Sequence, residues 1–413
     1  MKVALVHDYI KEYGGAERVL EALHEIWPDA PVFTSVYLPR YLGPHKERFK
    51  EWDIRTSFFQ QIPFKAKLIS PFRLLSPFIF KSFDFSKFDV VIVSATGAYF
   101  PNMIRTKPHP DPLLIPSNQV RLGQTRQEGK GEKGAIHICY CHTPPRYLYG
   151  YATAREWKKN RLVRVLGETA NHFLRMVDFK AGQNPDFFIA NSEEVLGRIQ
   201  KFYRREATVI YPPVEVQGTG SRVQGSGEER RPIPYNLNPK PYFLAGGRLA
   251  RSKGIDVIVD TFQKLDKPLK IFGRGFGGFE GELREKARKR KGAQANLEFL
   301  GEVSDEEKLQ LMAGAKAFVF ASPDEDFGIT PVEAMGVGTP VIAYYGGGVK
   351  ETVVDGKTGV FYHEFSSNSL QDAVSRFEKL SISKDACIKQ AQKFSKERFQ
   401  KEIKAFVEDC LKK

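Results

Sequence analysis

Short apolar runs alternate with amphipathic stretches along most of the chain. Near-continuous apolar runs, typical of strands buried on both faces, occupy residues 3–6, 90–93, 136–140 and 187–190 in the first half. Apolar positions at helical spacing cover residues 17–26 and 193–203. This alternation of strand and helix predicts a parallel α/β architecture.

A second series of the same kind begins at residue 242. Its predicted strands are 242–246, 269–273, 297–301, 317–322 and 340–344. Its predicted helices lie near 255–265, 280–290, 305–313 and 331–336. Glycines and charged residues follow the carboxyl ends of these strands, as in doubly wound domains. The sequence therefore predicts two Rossmann-like doubly wound domains that face each other across a cleft.

Two stretches interrupt the pattern. Residues 107–134 are rich in Pro, Gly, Gln and charge, and are predicted to be an insert in an N-terminal domain that covers residues 1–214. Residues 215–241 are poor in apolar side chains and predict a linker to a second domain at 242–383. The closing segment 384–413 is strongly helical and is expected to cross back to the first domain.

Charge and composition narrow the class of partner. The formal net charge of +14 favours an anion, such as nucleic acid, an anionic membrane surface or a phosphorylated metabolite. No motif of a nucleic-acid-binding fold occurs, so nucleic acid is not expected. There is no run of about 18 apolar residues and no signal-peptide pattern, so a cytoplasmic location is expected. The four cysteines lack zinc or redox spacing.

The densest chemical signal is the segment SPDEDFGITPVEAMGVGTPVIA at residues 322–343. It follows a predicted buried strand and opens a helix, so the amides of Gly328, Ile329 and Thr330 form a helix-start site for an anion. Glu325 precedes the turn and Glu333 lies inside the helix. The two carboxylates can therefore accept hydroxyl hydrogens from two parts of one ligand. The alternative is that Glu325 caps the helix and Glu333 lies on a solvated face.

A basic glycine loop follows the first strand of the second domain, with the sequence GGRLARSKG at residues 246–254. Its glycines permit close backbone approach, Arg248 supplies a planar fork and Lys253 a point charge. Those groups suit a diphosphate, since each charge-assisted hydrogen bond to it contributes about 1.5–3 kcal/mol. A basic surface turn is the alternative.

Two segments of the first domain add to the predicted cleft. Gly14 and Gly15 form a glycine turn between the first strand and the first helix, for which a plain tight turn is the alternative. His142 ends a strand beside Arg146, at the edge where ligands of such sheets bind. A structural histidine is the more common case elsewhere in proteins.

Together these segments resemble glycosyltransferase family 4, a retaining family with the GT-B fold. Residues 325–341 match the family pattern E-x-F-G-x-x-x-x-E-A-x-x-x-G-x-P-V, in which Phe327 is the aromatic position. The resemblance covers nearly the whole chain and is clearest over residues 242–362. The segment HICYCHTPPRY at 137–147 is similar to polysaccharide-assembly mannosyltransferases.

The resemblance implies a role for each matched residue. Glu325 would hold the hydroxyls of the transferred sugar and Glu333 the ribose. Arg248 and Lys253 would bind the diphosphate, helped by the amides at 328–330 and by Gly15. His142 would contact the sugar near its anomeric carbon. The family implies same-face attack by the acceptor, with no metal and no cofactor beyond the nucleotide-sugar.

The donor and the acceptor are predicted at a coarser level. Val303, Asp305 and Lys308 resemble the base-binding loop of guanine-reading relatives, which favours GDP-mannose over a UDP-sugar; a helix capping box at Ser304 is the alternative. Residues 58–88 hold nine phenylalanines, five basic residues and one acid. Such a segment suits peripheral contact with the inner face of the cell membrane and a glycan or polyprenyl-diphosphate-linked acceptor. An aromatic core under a solvated basic face is the alternative.

Three other functions compete. Residues 273–278 fit G-x-G-x-x-G, the fingerprint of a nicotinamide dehydrogenase, although they follow the second strand of their domain rather than the first. A nucleotide-sugar epimerase would share the architecture and release sugar without an acceptor. A non-catalytic sugar-nucleotide-binding protein would share the site without turnover.

Overall fold

The structure is a computed structural model that describes residues 1–106, 134–152, 161–216, 241–288 and 296–412. The strands of its first sheet are β1 (Val3–His7), β2 (Val32–Thr34), β3 (Ile54–Thr56), β4 (Val90–Ala95), β5 (Ile136–Cys141), β6 (Phe187–Ala190) and β7 (Thr208–Val209). Their spatial order is β3-β2-β1-β4-β5-β6-β7, and every pair is parallel.

The second sheet repeats this plan. Its strands are β8 (Tyr242–Gly246), β9 (Leu269–Phe272), β10 (Leu297–Gly301), β11 (Ala315–Phe320), β12 (Val341–Tyr344) and β13 (Gly359–Tyr362). They lie in the order β10-β9-β8-β11-β12-β13, again all parallel. The predicted pair of doubly wound parallel sheets is confirmed.

Helices connect the strands in both halves. In the first half they are α1 (Gly15–Ile26), α2 (Lys65–Leu68), α3 (Ser76–Lys81), α4 (Arg161–Ala181) and α5 (Glu193–Tyr203). In the second they are α6 (Ile255–Leu265), α7 (Phe279–Arg288), α8 (Asp305–Ala313), α9 (Ile329–Gly336), α10 (Val349–Thr352), α11 (Ser367–Phe377), α12 (Lys384–Gln392) and α13 (Lys396–Lys412).

Each central strand divides its side chains between two apolar cores. In β1, Ala4 and Val6 pack into the core on one face of the sheet, and Val3 and Leu5 pack into the core on the other. β8 divides its residues in the same way. Because side chains alternate across a strand, a sheet covered on both faces needs apolar residues at every position. This is why the buried strands read as unbroken apolar runs.

The closing segment differs from the single helix predicted at 384–413. Ser395 accepts a hydrogen bond from the amide of Arg398 and starts a new helix, so the segment forms α12 and α13. Cys387 of α12 is buried in the second domain, whereas Phe399 of α13 is buried in the first. Only α13 therefore crosses back, because only its apolar face continues the first core.

Two predicted segments fall almost wholly outside the described residues. The predicted insert at 107–134 is described only at its last residue, and the predicted linker at 215–241 only at both ends. At the described end, the amide of Val214 donates to the carbonyl of Phe394, 2.9 Å away. The chain thus leaves the first domain beside the connection between α12 and α13, through which it returns to that domain.

Candidate functional site

The candidate site lies where the carboxyl ends of the two sheets meet. Strand order reverses between β1 and β4 in the first sheet and between β8 and β11 in the second. Ligands of doubly wound domains bind at such points, because the loops on either side diverge and leave a crevice. The loops at 14–15, 246–254 and 325–328 follow β1, β8 and β11, and His142 follows β5.

The turn that begins α9 touches the first domain. Gly328 has φ +93°, a left-handed conformation that lets the chain turn directly into the helix. A Cβ on Gly15 would lie 2.8 Å from the Cδ1 atom of Ile329, so the glycine turn of one domain lies against the helix start of the other. The first-turn amides of α9, which include those of Ile329 and Thr330, have no partner within the helix. They lie beside the glycine turn of the first domain.

Glu325 is partly buried and ionised. Its Oε2 atom lies 2.6 Å from the Nζ of Lys253. Burial raises the pKa of Glu325, but the charges of Lys253 and Arg146 outweigh it and hold the pKa below its ordinary value. The carboxylate therefore accepts hydrogen bonds rather than donating a proton.

Glu333 is held by two cations from different domains. Arg18 Nη1 lies 2.5 Å from its Oε1 atom, and Lys308 Nζ lies 2.9 Å from the same oxygen. Burial raises the pKa of Glu333, but the charges of Arg18 and Lys308 lower it by more than burial raises it. This carboxylate is therefore ionised too. Arg18 was not predicted as a site residue, because nothing in the sequence shows that the first turn of α1 reaches α9.

Asp305 joins the same network from the start of α8. It lies 3.0 Å from Lys308 and 3.3 Å from Arg18, and these cations hold its pKa below the ordinary value despite partial burial. The predicted capping box also exists, since Ser304 accepts from the amide of Glu307. The cap uses Ser304 and Glu307, so the Asp305 carboxylate takes no part in it.

Phe327, a predicted donor-binding residue, lies in the core instead, and the side chain of Val303, where the resemblance implies only a backbone contact, packs against that core. Phe327 is buried and packs against Tyr211 and Phe394, with ring centroids 5.6 and 5.3 Å apart. Val303 packs at the edge of the same apolar cluster. The Phe327 ring therefore supports the turn from behind, which corrects the prediction of a direct donor contact. From the sequence alone, a phenylalanine next to a glycine turn could either contact the donor or pack into the core.

Arg248 lies at the mouth of the cleft, half exposed, with its Nη2 atom 2.7 Å from Glu12 of the first domain. Its loop is fixed by glycine packing, because a Cβ on Gly273 would lie 1.8 Å from the carbonyl oxygen of Gly247. Gly273 is the first glycine of the G-x-G-x-x-G stretch, so close packing against Gly247 explains why glycine is needed there. It follows β9, away from the strand-order reversal, which disfavours the dehydrogenase alternative.

His142 is buried and neutral. Its Nε2 lies 2.9 Å from the Oγ of Ser94, which lies 3.1 Å from Nδ1 of His7. Burial and the neighbouring His7 lower the pKa of His142 to about 3. A neutral imidazole at this edge can share a hydrogen bond without adding charge.

Asp8, which the sequence did not single out, fixes the first-domain edge. Its Oδ2 atom accepts from the amides of Thr96, Ala98 and Tyr99, between 3.1 and 3.3 Å away. Burial raises the pKa of Asp8 above its ordinary value. These bonds tie the loop after β4 to the end of β1.

The arrangement brings positive groups and ionised carboxylates to one cleft. Cations and helix-start amides favour an anion such as a diphosphate. The ionised Glu325 and Glu333 suit hydroxyl groups, because each oxygen accepts an O–H. Within the described residues, none of the helices is long and apolar enough to span a bilayer.

Comparison with known proteins gives a consistent assignment. Residues 228–394 match the family model for glycosyl transferases group 1. The chain is 28% identical over 248 residues to alpha-1,3/1,6-mannosyltransferase ALG2 of Dictyostelium discoideum, covering 54% of this chain and 57% of that protein. It is 32% identical over 257 residues to mannosylfructose-phosphate synthase of Agrobacterium fabrum, covering 57% and 55%. The chain thus spans about half the length of the curated relatives it matches.

A solved structure extends the likeness to the whole fold. HepE of Anabaena, in complex with UDP-glucose, superposes with a TM-score of 0.63 at 18% identity, over 99% of this chain and 100% of that one. At this identity the likeness concerns the fold. It covers both domains, whereas the family model covers mainly the second.

Proposed function

We propose that this chain is a group 1 glycosyltransferase, whose family model matches residues 228–394, and that it transfers a sugar from a nucleotide-sugar donor. The observation that carries the proposal is the 2.6 Å contact between Lys253 and the ionised Glu325 beside the start of α9. A cation for the diphosphate and an acceptor for sugar hydroxyls thus lie side by side. Arg18 joins Glu333 to the opposite domain at the same cleft.

The proposed chemistry is transfer with retained anomeric configuration. The bond between the anomeric carbon and the diphosphate oxygen breaks, and the acceptor hydroxyl oxygen bonds to that carbon on the same face. The departing phosphate takes the hydroxyl proton. Lys253, Arg248 and the α9 amides stabilise the charge on the leaving group, which is where preorganised electrostatics contributes most. The neutral His142 steadies the sugar without repelling a cationic anomeric carbon.

The donor we propose is GDP-mannose. Asp305 can accept from the N1–H and N2–H₂ groups of guanine, and the relatives above include an enzyme named as a mannosyltransferase. A UDP-sugar is the second candidate, because Asp305 already pairs with Lys308 and Arg18, and guanine must compete with those pairs.

Thermal-shift measurements with GDP, UDP and ADP test the donor. A nucleotide that binds only the folded state raises Tm, so GDP is expected to raise it most. Asp305→Asn should bring the GDP shift down to that of UDP, while the Ser304 cap keeps α8 folded. Equal shifts with all three nucleotides would contradict the guanine assignment.

Product analysis tests the reaction. Incubation with GDP-mannose and a polyprenyl-diphosphate-linked sugar should give a glycoside whose anomeric configuration, read by NMR, matches the donor. An epimerised nucleotide-sugar formed without acceptor would instead support the epimerase. Nucleotide binding without turnover of any donor would support the non-catalytic alternative.

We further propose that residues 58–88 contact an anionic membrane surface that carries the acceptor. This segment combines both arrangements considered from its sequence: Phe59 and Phe80 are buried in the first core, whereas Phe64 and Phe78 are 77% and 66% exposed. Exposed aromatic rings beside lysines favour the interface of anionic lipids.

Vesicle sedimentation tests the membrane proposal. The double variant Phe64→Ser with Phe78→Ser should lose binding to phosphatidylglycerol vesicles, and the native protein should bind phosphatidylcholine vesicles weakly. Tyr345→Ser, which removes an exposed ring from the second domain, is the matched control. Undiminished binding by the double variant would remove the proposal.

A further inference from the structure

Arg198 is a buried cation at the boundary between the domains. It lies on α5, and its side chain is 3% exposed. Its Nη1 atom lies 3.0 Å from Oγ1 of Thr143 and 2.6 Å from Oδ1 of Asp326. Its Nη2 atom lies 3.3 Å from Glu194, one turn away on the same helix. One guanidinium thus joins both domains.

The two partners of Arg198 are neighbours of proposed reaction residues. Thr143 directly follows His142, and Asp326 directly follows Glu325. A rigid planar group that bonds both neighbours sets the spacing between the segments that carry them.

A second arginine reinforces the same turn. Arg146 Nη2 lies 2.6 Å from the carbonyl oxygen of Asp324 and 2.7 Å from Oδ1 of Asp326. The residues before and after Glu325 are therefore both held by the first domain. A displacement of the Glu325 backbone would therefore break these contacts.

The backbone of the turn is held as well. Ser192 Oγ donates to the carbonyl of Asp326 over 2.5 Å, and the amide of Gly348 donates to the carbonyl of Glu325 over 2.8 Å. A first-domain group and a second-domain group thus hydrogen-bond to adjacent peptide units of the turn. Separation of the domains here would also break the ion pairs that Asp326 makes with Arg198 and Arg146.

We infer that Arg198 is a positioning residue: by bonding Thr143 and Asp326 together, it sets the separation of His142 and Glu325 when the domains meet. The inference rests on the proposed sugar transfer. It assigns Arg198 no contact with donor or acceptor. Its effect on the reaction passes through the two segments that it joins.

The test uses Arg198→Lys, which keeps the charge but places its nitrogen one bond short of Nη1, the atom that contacts both Thr143 and Asp326. Because a displacement of about 1 Å can cost about 100-fold in rate, kcat for transfer should fall about 10- to 100-fold. The donor KM should stay within about twofold, since the donor-binding Lys253, Arg248 and Glu333 are untouched. A lower kcat with an unchanged donor KM and an unchanged affinity for GDP or UDP would indicate positioning. A role limited to holding the domains together would change nucleotide binding as well.

Arg205→Lys is the matched control. Arg205 lies just beyond α5 and donates to carbonyls of Pro185 and Asp186 within the first domain. It should leave kcat unchanged. Asp326→Asn provides a second route to the same bridge, although it also weakens the pair with Arg146 and is therefore expected to be the slower single variant. The double variant with Arg198→Lys should be no slower than Asp326→Asn alone, because both changes remove the pair between Arg198 and Asp326.

The outcomes are distinguishable. If the native enzyme transfers sugar and both single variants keep native kcat, the inference is overturned while the proposed function stands. If losses multiply in the double variant, the bridge is also overturned. If the native enzyme turns over no nucleotide-sugar, the proposed function fails first, and the inference fails with it.

Discussion

Replacing Lys253 with methionine removes an ammonium group from the candidate donor site and keeps a side chain of similar length. The side chain of Lys253 is 27% exposed and that of Glu325 15%, so their contact lies largely out of water. After the change, Arg146 is the remaining named cation that opposes the effect of burial on Glu325. The pKa of Glu325 should therefore rise.

The expected loss follows from the lost bond to the diphosphate. A hydrogen bond to a charged group contributes about 1.5–3 kcal/mol. If that bond strengthens as the leaving group departs, kcat/KM should fall about 10- to 150-fold, since about 1.4 kcal/mol corresponds to tenfold. Lys253→Arg restores the charge and should recover part of the rate.

The assay is the pH dependence of kcat/KM for the native protein and both variants. In the proposed reaction the ionised Glu325 is the active form, and its lowered pKa keeps it ionised into the acid range. With Lys253→Met the acid limb should move to higher pH, so activity disappears earlier as pH falls. Lys264→Met, on the exposed face of α6, is the control. An unmoved acid limb with kcat/KM within about twofold of native would refute the assigned role.

Three further changes have defined outcomes. Glu333→Gln should weaken nucleotide binding about tenfold or more by calorimetry, because a neutral amide is a poorer acceptor than a carboxylate; unchanged affinity would contradict the ribose assignment. Burial raises the pKa of Asp178 to about 7, so the folded state holds a proton and stability falls as pH rises from about 4 to 7. Asp178→Asn should remove that slope in the free energy of unfolding, at most about 1.4 kcal/mol per pH unit, as measured by urea titrations. An unchanged slope would mean that another group causes the pH dependence. A Cβ on Gly348 would lie 2.4 Å from the carbonyl oxygen of Asp326, so Gly348→Ala should displace the turn and cost at least about tenfold in kcat, whereas Gly281→Ala, in open space, should not.

The sequence predicts the long strands well and the short ones poorly. β1, β4 and β5 are apolar at nearly every position, so their runs identify strands covered on both faces. β2 and β3 have three residues each, too few for any period to be visible. Helix α4 was also missed. Its Phe173 and Met176 are exposed, so its apolar residues do not all follow the stripe of a core-facing helix.

In the candidate site, contacts within one domain could be predicted from the sequence, whereas contacts between the domains could not. Glu325 and Lys253 could be grouped from sequence because both follow predicted strands of one domain. The bond from Arg18 to Glu333 spans 315 residues, and that from Arg198 to Asp326 spans 128. Local pattern contains no information on which helix face meets the other domain. Contacts of that kind depend on how two finished domains pack.

The ion pairs of the cleft explain how one site can bind both charge and hydroxyls. Lys253 pairs with Glu325, Arg248 with Glu12, and Arg18 with Glu333. A diphosphate that draws Lys253 toward itself weakens its hold on Glu325, whose oxygens then become better acceptors for sugar hydroxyls. The favourable energy is the difference between two sets of pairs, which is smaller than either set alone. A ligand that supplies both the anion and the hydroxyls can pair with Lys253 and with Glu325 at once, whereas an isolated diphosphate leaves a partly buried carboxylate short of a partner. We therefore expect the cleft to favour an intact nucleotide-sugar over its parts.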